Sequence, residues 1–212
     1  MPIQISEYQK SSFSAETINN KTIRHDVYQR GNGPPVIIIQ ELPGIGQATL
    51  RLADKLIQAG FSVVIPHLFG PIGKVQAGRN LMRVFCLRKE FKLFSRNQSS
   101  PIVDWLKALC RLIKDERKVS GVGVIGMCLT GNFAISLMAD SSVTAAVSSQ
   151  PAMPINSASS LHMSQLDIQK IKTNIDKTQP ILAFRFENDW MSTQAKFDTL
   201  AHTLIPMWSG LK

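Results

Sequence analysis

Cys128 is the residue whose surroundings best suit covalent chemistry. It follows the β-branched run at 122–125 through Gly126 and Met127. Leu129, Thr130 and Gly131 then lead into an apolar stretch with helical spacing. A strand that turns abruptly into a helix presents the side chain at the bend, which is the layout of a nucleophile elbow. The neighbours at such a bend must be small, and Gly126 meets that need two residues before the cysteine. Thr130 stands two residues after it, where the G-x-S-x-G pattern has glycine; Gly131 relieves the crowding one position later. A sulfur there sits at a helix N-terminus, where the dipole and free N–H groups are expected to favour thiolate. A thiolate attacks carbonyl carbon without a strong base, and the Leu129 N–H would face the developing oxyanion. The overlapping Gly121-Val122-Gly123-Val124-Ile125-Gly126 is a literal G-x-G-x-x-G. Its first two glycines fall at the start of or inside the strand, and the next acid, Asp140, comes too early for a ribose contact, so a dinucleotide reading is rejected.

The elements that must hold these groups can be read around them. Val36-Ile37-Ile38-Ile39 is a continuous β-branched run, typical of a central parallel strand. A strand near 23–30 and a turn at 31–34 precede it, and residues 6–22 are polar. Leu50, Ala53, Leu56 and Ile57 share a helical face that Gly60 ends. The strand at 61–65 is stopped by Pro66. Two helices are predicted next. The second has Ser100 as cap, Pro101 in first position and the stripe Ile102, Trp105, Leu106, Leu109 and Ile113. Cys110 beside that stripe, and Cys86 in the preceding helix, read as core. Beyond Cys128 come a helix at 132–139, a strand at 143–148, a polar loop at 151–163 with a helix after it, a strand at 181–186, its exit loop at 187–192, and a last helix at 193–203. The alternation predicts one α/β domain over 1–212, a mostly parallel central sheet with helices on both faces.

Composition narrows the classes. Hydrophobic residues make up 44% and charged residues 18% of the 212, ordinary for a globular protein. No apolar run approaches the roughly 18 residues that span a bilayer, and residues 1–7 lack the features of a signal peptide; cytoplasmic residence and no membrane partner are expected. Three cysteines without C-x-x-C spacing or a histidine cluster argue against a disulfide framework or zinc site. No cofactor or metal is expected. The net charge is +9, concentrated in 74–118, where twelve basic residues face four acids. These are interleaved with apolar residues at helical spacing, which predicts solvated helix faces rather than nucleic-acid binding. The same field would attract anionic substrates.

Four segments carry a resemblance to a known family. Val36-Ile37-Ile38-Ile39-Gln40-Glu41-Leu42-Pro43-Gly44-Ile45 resembles the dienelactone hydrolase segment in which a strand ends in Gln-Glu. Ala59-Gly60-Phe61-Ser62-Val63-Val64-Ile65-Pro66-His67-Leu68-Phe69 is similar to that family's next strand, and 121–131 to the stretch with its nucleophilic cysteine. Pro180-Ile181-Leu182-Ala183-Phe184-Arg185-Phe186-Glu187-Asn188-Asp189 resembles the strand and loop bearing its triad aspartate. The resemblance implies an α/β-hydrolase fold and a carboxylic ester hydrolase like dienelactone hydrolase (carboxymethylenebutenolidase), opening a small ester or lactone. In that implied scheme Cys128 attacks and is acylated, and Glu41 holds the thiol proton at rest. Leu42 and Leu129 supply the oxyanion-hole N–H groups, and Asp189 orients a histidine. Arginines of the family bind a substrate carboxylate; Arg79 and Arg88 lie in the region that would supply one, and Arg88 is the candidate taken, against its reading as a surface helix residue. Taken alone, Glu41 also reads as an exposed loop acid and Asp189 as a turn residue after Asn188.

The pattern departs from the family at the histidine, expected on a loop about 30 residues beyond the aspartate, after one more strand. The chain ends at Lys212, so a C-terminally short fold is expected, lacking that strand, loop and closing helix. Of the four histidines, His25 precedes the core sheet, His67 falls in a loop after Pro66, and His162 in the polar loop. His202 follows Asp189 by 13 residues with no strand between, inside the last helix, and reads as a surface helical residue. An exposed sheet edge would follow, with a homodimer as one way to cover it. The hydrolase reading stands beside two others: a non-catalytic binding protein that keeps the pocket, and a thiol sensor using Cys128.

Overall fold

A computed structural model of the chain describes residues 4–17, 20, 22–73, 78, 100–151, 163–175, 181–189 and 192–204. Seven strands form one sheet: β1 (Gln9–Glu16), β2 (Thr22–Arg30), β3 (Pro35–Ile38), β4 (Ser62–His67), β5 (Val122–Met127), β6 (Val143–Ser149) and β7 (Ile181–Phe184). Their order is β1-β2-β4-β3-β5-β6-β7. The pairs from β4 to β7 are parallel, and β1 and β2 pair antiparallel. The helices are α1 (Gln47–Gln58), α2 (Pro101–Arg117), α3 (Gly131–Leu137), α4 (Gln165–Asn174) and α5 (Gln194–Leu204).

The hydrophobic pattern explains the layering. Ile37 of β3 and Ile39 just past its end join a core with Trp105 and Leu109 of α2 and Phe133 of α3. Ile38 joins a second core with Leu50 and Ala53 of α1. Successive residues of a strand point to opposite faces, so an unbroken apolar run requires helices on both faces. This is the α/β-hydrolase architecture expected from the sequence.

The chain leaves β3 toward β4 on one side and returns to β5 on the other. The crevice at the carboxyl ends of β3 and β5 is therefore the topological switch point, where open α/β sheets bind ligands. Glu41 follows the first of these strands and Cys128 the second.

Several boundaries differ from the expectation. β4 continues through Pro66 to His67, which is thus the last residue of a strand rather than part of a loop. Pro66 lies past the last described β3–β4 pair, Ile37 with Val64, so its missing N–H costs that ladder nothing. β1 lies in the segment read as merely polar; as an edge strand it is largely exposed, and its apolar signal shrinks to Phe13 and Ala15. β5 runs to Met127, while β7 stops at Phe184. Past β4, the first of the two predicted helices falls outside the described residues, as does most of 151–163. Among the described residues β7 pairs with β6 alone, and Leu182, Phe184 and Phe186 are exposed. Lys107, predicted on a solvated face, is 12% exposed and ion-paired at 2.7 Å with Asp167 of α4.

Candidate active site

The turn after β5 has the backbone an elbow demands. Cys128 has φ +55°, a left-handed conformation that a residue with a Cβ adopts at a cost. Residues Cys128–Thr130 form a 3-10 turn that passes directly into α3. A Cβ on Gly126 would lie 2.1 Å from the Thr130 carbonyl oxygen and 3.0 Å from Ala134 Cβ. One on Gly131 would lie 2.9 Å from Ser148 Oγ and 3.1 Å from Pro151 Cα. Glycine is thus needed at 126, where strand meets helix, while at 131 a methyl would press on the Ser148 side chain and Pro151.

Thr130 is fully buried. Its Oγ1 accepts the Met127 N–H at 3.2 Å and lies 3.0 Å from the Met127 carbonyl and 3.4 Å from that of Ile39. The residue that breaks the G-x-S-x-G pattern therefore bridges the elbow to the end of β3. Sequence reasoning missed this role, since the two chain positions are 91 residues apart.

β3 delivers the second part of the site. Gln40 is buried; its Oε1 accepts the Leu68 N–H at 2.8 Å and its Nε2 donates to the Phe69 carbonyl. That clamp fixes the exit of β3 against the exit of β4. The next residue, Glu41, begins a turn closed by Gly44 N–H to Glu41 carbonyl at 3.0 Å. Glu41 is half-buried, and burial raises its pKa. Leu42 packs partly against the main core.

Asp189 arrives from the loop after β7. It is half-buried, and its Oδ1 accepts the Ser192 N–H at 3.0 Å. Cys128 is itself half-buried, and burial is the largest cause raising its thiol pKa. The Leu129 backbone N–H, bonded to the sulfur, pulls it down, and the charges of Glu41 and Asp189 push it up. Cys128, Leu129, Glu41 and Asp189 are therefore gathered from β5, β3 and β7. Against the expected preference for thiolate, burial and the charges of Glu41 and Asp189 push the thiol pKa up, opposed by the Leu129 N–H. Cys110 is entirely buried and its thiol is driven further up, as a core cysteine should be.

Loss of a carboxylate beside the sulfur should be directly visible. Glu41→Gln is expected to lower the Cys128 pKa, so iodoacetamide alkylation of Cys128, read by peptide mass mapping, should reach half its maximal rate at a lower pH. An unchanged profile would place the Glu41 charge away from the sulfur.

The described histidines lie elsewhere. The His25 ring meets Trp105 edge-on at 5.1 Å, and its pKa is lowered by burial. His67 Nε2 lies 2.5 Å from the Gly70 carbonyl, and His202 is exposed on α5. Arg79, Arg88, Cys86 and His162 fall outside the described residues. No group of three or more His, Cys, Asp or Glu placed to hold a metal occurs among the described residues. No helix among them is long and apolar enough to cross a membrane.

Lys196 is a further residue that sequence reasoning missed. It is 0% exposed, and its Nζ donates to Asn132 Oδ1. Burial lowers its pKa to about 7 from the ordinary 10.5. Between those values the unfolded chain binds the proton and the folded chain does not, so stability rises with pH across the window. Below it the buried ammonium carries its full desolvation cost. Lys196→Met is expected to abolish that rise, as urea midpoints measured across the window would show. The available signal was helical spacing, because Lys196, Leu200 and Leu204 share the buried face of α5.

Comparison with known proteins agrees with this fold. The model of the dienelactone hydrolase family matches residues 25–207. Among solved structures, a Klebsiella pneumoniae protein assigned as a dienelactone hydrolase superposes with a TM-score of 0.57 at 16% identity, over 92% of this chain and 80% of that one. A dienelactone hydrolase-like promiscuous phosphotriesterase from metagenomic libraries gives 0.59 at 14% identity, over 92% and 76%. A zinc-bound, cold-adapted esterase from an Arctic intertidal metagenomic library gives 0.54 at 15%, over 92% and 79%. At such identities the likeness speaks for the fold. No curated protein matches the chain. With this fold, and a family match over most of its length, the chain belongs to the dienelactone hydrolase family.

Proposed function

We propose that this hydrolase opens a small ester or lactone, of the kind carboxymethylenebutenolidases cleave, with Cys128 as nucleophile. The observation that carries the reading is the left-handed bend that presents the half-buried Cys128 thiol, within the electrostatic reach of Glu41 and Asp189. Burial makes Glu41 a stronger base than a solvated carboxylate. It takes the thiol proton as the sulfur attacks the carbonyl carbon. The tetrahedral oxyanion is held by the Leu129 and Leu42 N–H groups. As the intermediate collapses, the C–O bond breaks and protonated Glu41 returns the proton to the leaving oxygen, leaving a thioester on Cys128. Water then cleaves the thioester and needs a base, which Asp189 would support by orienting an imidazole. The reading expects acylation of Cys128 to be directly observable with an activated ester.

The test is burst acylation. Mixing the protein with p-nitrophenyl acetate should release close to one equivalent of nitrophenolate and then slow sharply. Intact mass analysis should show one acetyl group per chain, mapped to Cys128. Binding of esters without any acylation would instead mark a non-catalytic binding protein.

A further inference from the structure

Lysine side chains normally run along apolar surface and leave the ammonium in water. Lys196 does the opposite, and its amine meets Asn132 in the first turn of α3. Asn132 is itself buried, and its Nδ2 donates to the Leu129 carbonyl at 3.4 Å, on the residue next to the nucleophile. In the other direction, Lys196 belongs to the first turn of α5. Its N–H donates to the Thr193 carbonyl at 3.2 Å and lies 3.4 Å from Thr193 Oγ1. Ser192, just before, donates its N–H to Asp189 Oδ1 at 3.0 Å. A short run of chain and hydrogen bonds thus leads from the Asp189 carboxylate to the peptide beside Cys128, joining segments 64 residues apart.

We propose that Lys196, acting through Asn132, is a positioning residue that locks the Asp189 loop against the Cys128 elbow. This rests on reading Cys128 as the reactive group and Asp189 as its acid. The elbow needs such a strut because its φ of +55° is not one the chain would hold unaided. An apolar side chain in the same place would fill the space but give Asn132 no donor, and the contact would lose its direction. A lysine occupies this place although burial opposes its charge, which a packing role alone would not require.

The test reads the alkylation of Cys128 by iodoacetamide against pH on the full-length chain. Asp189→Asn should lower the Cys128 midpoint and raise the rate at neutral pH about three-fold, by removing a negative charge beside the sulfur. Lys196→Met should act in the same direction, because a released loop carries its carboxylate away. In the double variant the two effects should not add. Asn132→Ala attacks the same pair from α3 and repeats the cycle should Lys196→Met fail to fold. A Lys196→Met protein that melts at a different temperature but keeps the parent pH profile overturns the proposal. So does an Asp189→Asn effect that persists in full within the Lys196→Met background. Should Asp189→Asn alone move nothing, the placement of Asp189 at the sulfur fails and the proposal falls with it. Loss of ester acylation with an intact alkylation cycle would overturn the hydrolase reading and leave the strut standing.

Discussion

Replacing Cys128 with glycine should end acyl transfer and at the same time make the protein more stable. The first effect is complete: without the sulfur no thioester forms, and the nitrophenolate burst should fall from near one equivalent to none. The second follows from the backbone. A residue with a Cβ held at φ +55° costs about 1–2 kcal/mol. Glycine removes that cost but loses about 0.5–1 kcal/mol through its freer unfolded chain. The balance favours the glycine variant by about 0–1.5 kcal/mol, at most a few degrees in melting temperature for a domain of this size. Cys128→Ala keeps the strain and should lose the burst without the gain. A glycine variant less stable than the alanine variant would mean that the left-handed bend carries no strain.

Gly126→Ala is expected to have the largest effect on folding. The added methyl would lie 2.1 Å from the Thr130 carbonyl oxygen and 2.7 Å from its carbonyl carbon. Both are backbone atoms at the start of α3, so no side-chain rotation can relieve the overlap. Either β5 and α3 separate or the 3-10 turn unwinds, and the Met127–Thr130–Ile39 bridge breaks with it. A loss of about 3 kcal/mol or more is expected, together with loss of the acylation burst. Gly123→Ala serves as the control. Its Cβ would meet Val36 Cγ2 at an ordinary 3.5 Å, and its urea midpoint should stay close to that of the parent. Equal losses for the two variants would show that the bend does not need glycine at Gly126.

The parts of the site legible from sequence were those set by neighbours along the chain. Gly126 two residues before Cys128 marks a tight bend because the constraint spans a single turn of backbone. Glu41 and Asp189 were legible as positions after apolar runs, and a resemblance supplied their roles. The pH behaviour of the thiol was not legible. The Leu129 N–H that lowers the thiol pKa is local, whereas the two carboxylates that raise it follow β3 and β7. β1 was missed for a related reason, since an exposed edge strand keeps little of the alternation that identifies strands.

The sequence by itself determined the layered α/β fold, because a β-branched run such as 36–39 must be buried on both sides and the stripe on α2 must cover it. It also determined the bend at Cys128, because only small residues let strand and helix meet there. Tertiary structure alone decided which charges face the sulfur, that Thr130 ties the elbow to β3, and that Lys196 is buried against Asn132. The reason is physical: periodicity records which face a residue occupies, while the partner across the core depends on strand order. That order puts β3 beside β5 and leaves β7 two strands from the nucleophile, and it is fixed only when the whole chain has packed.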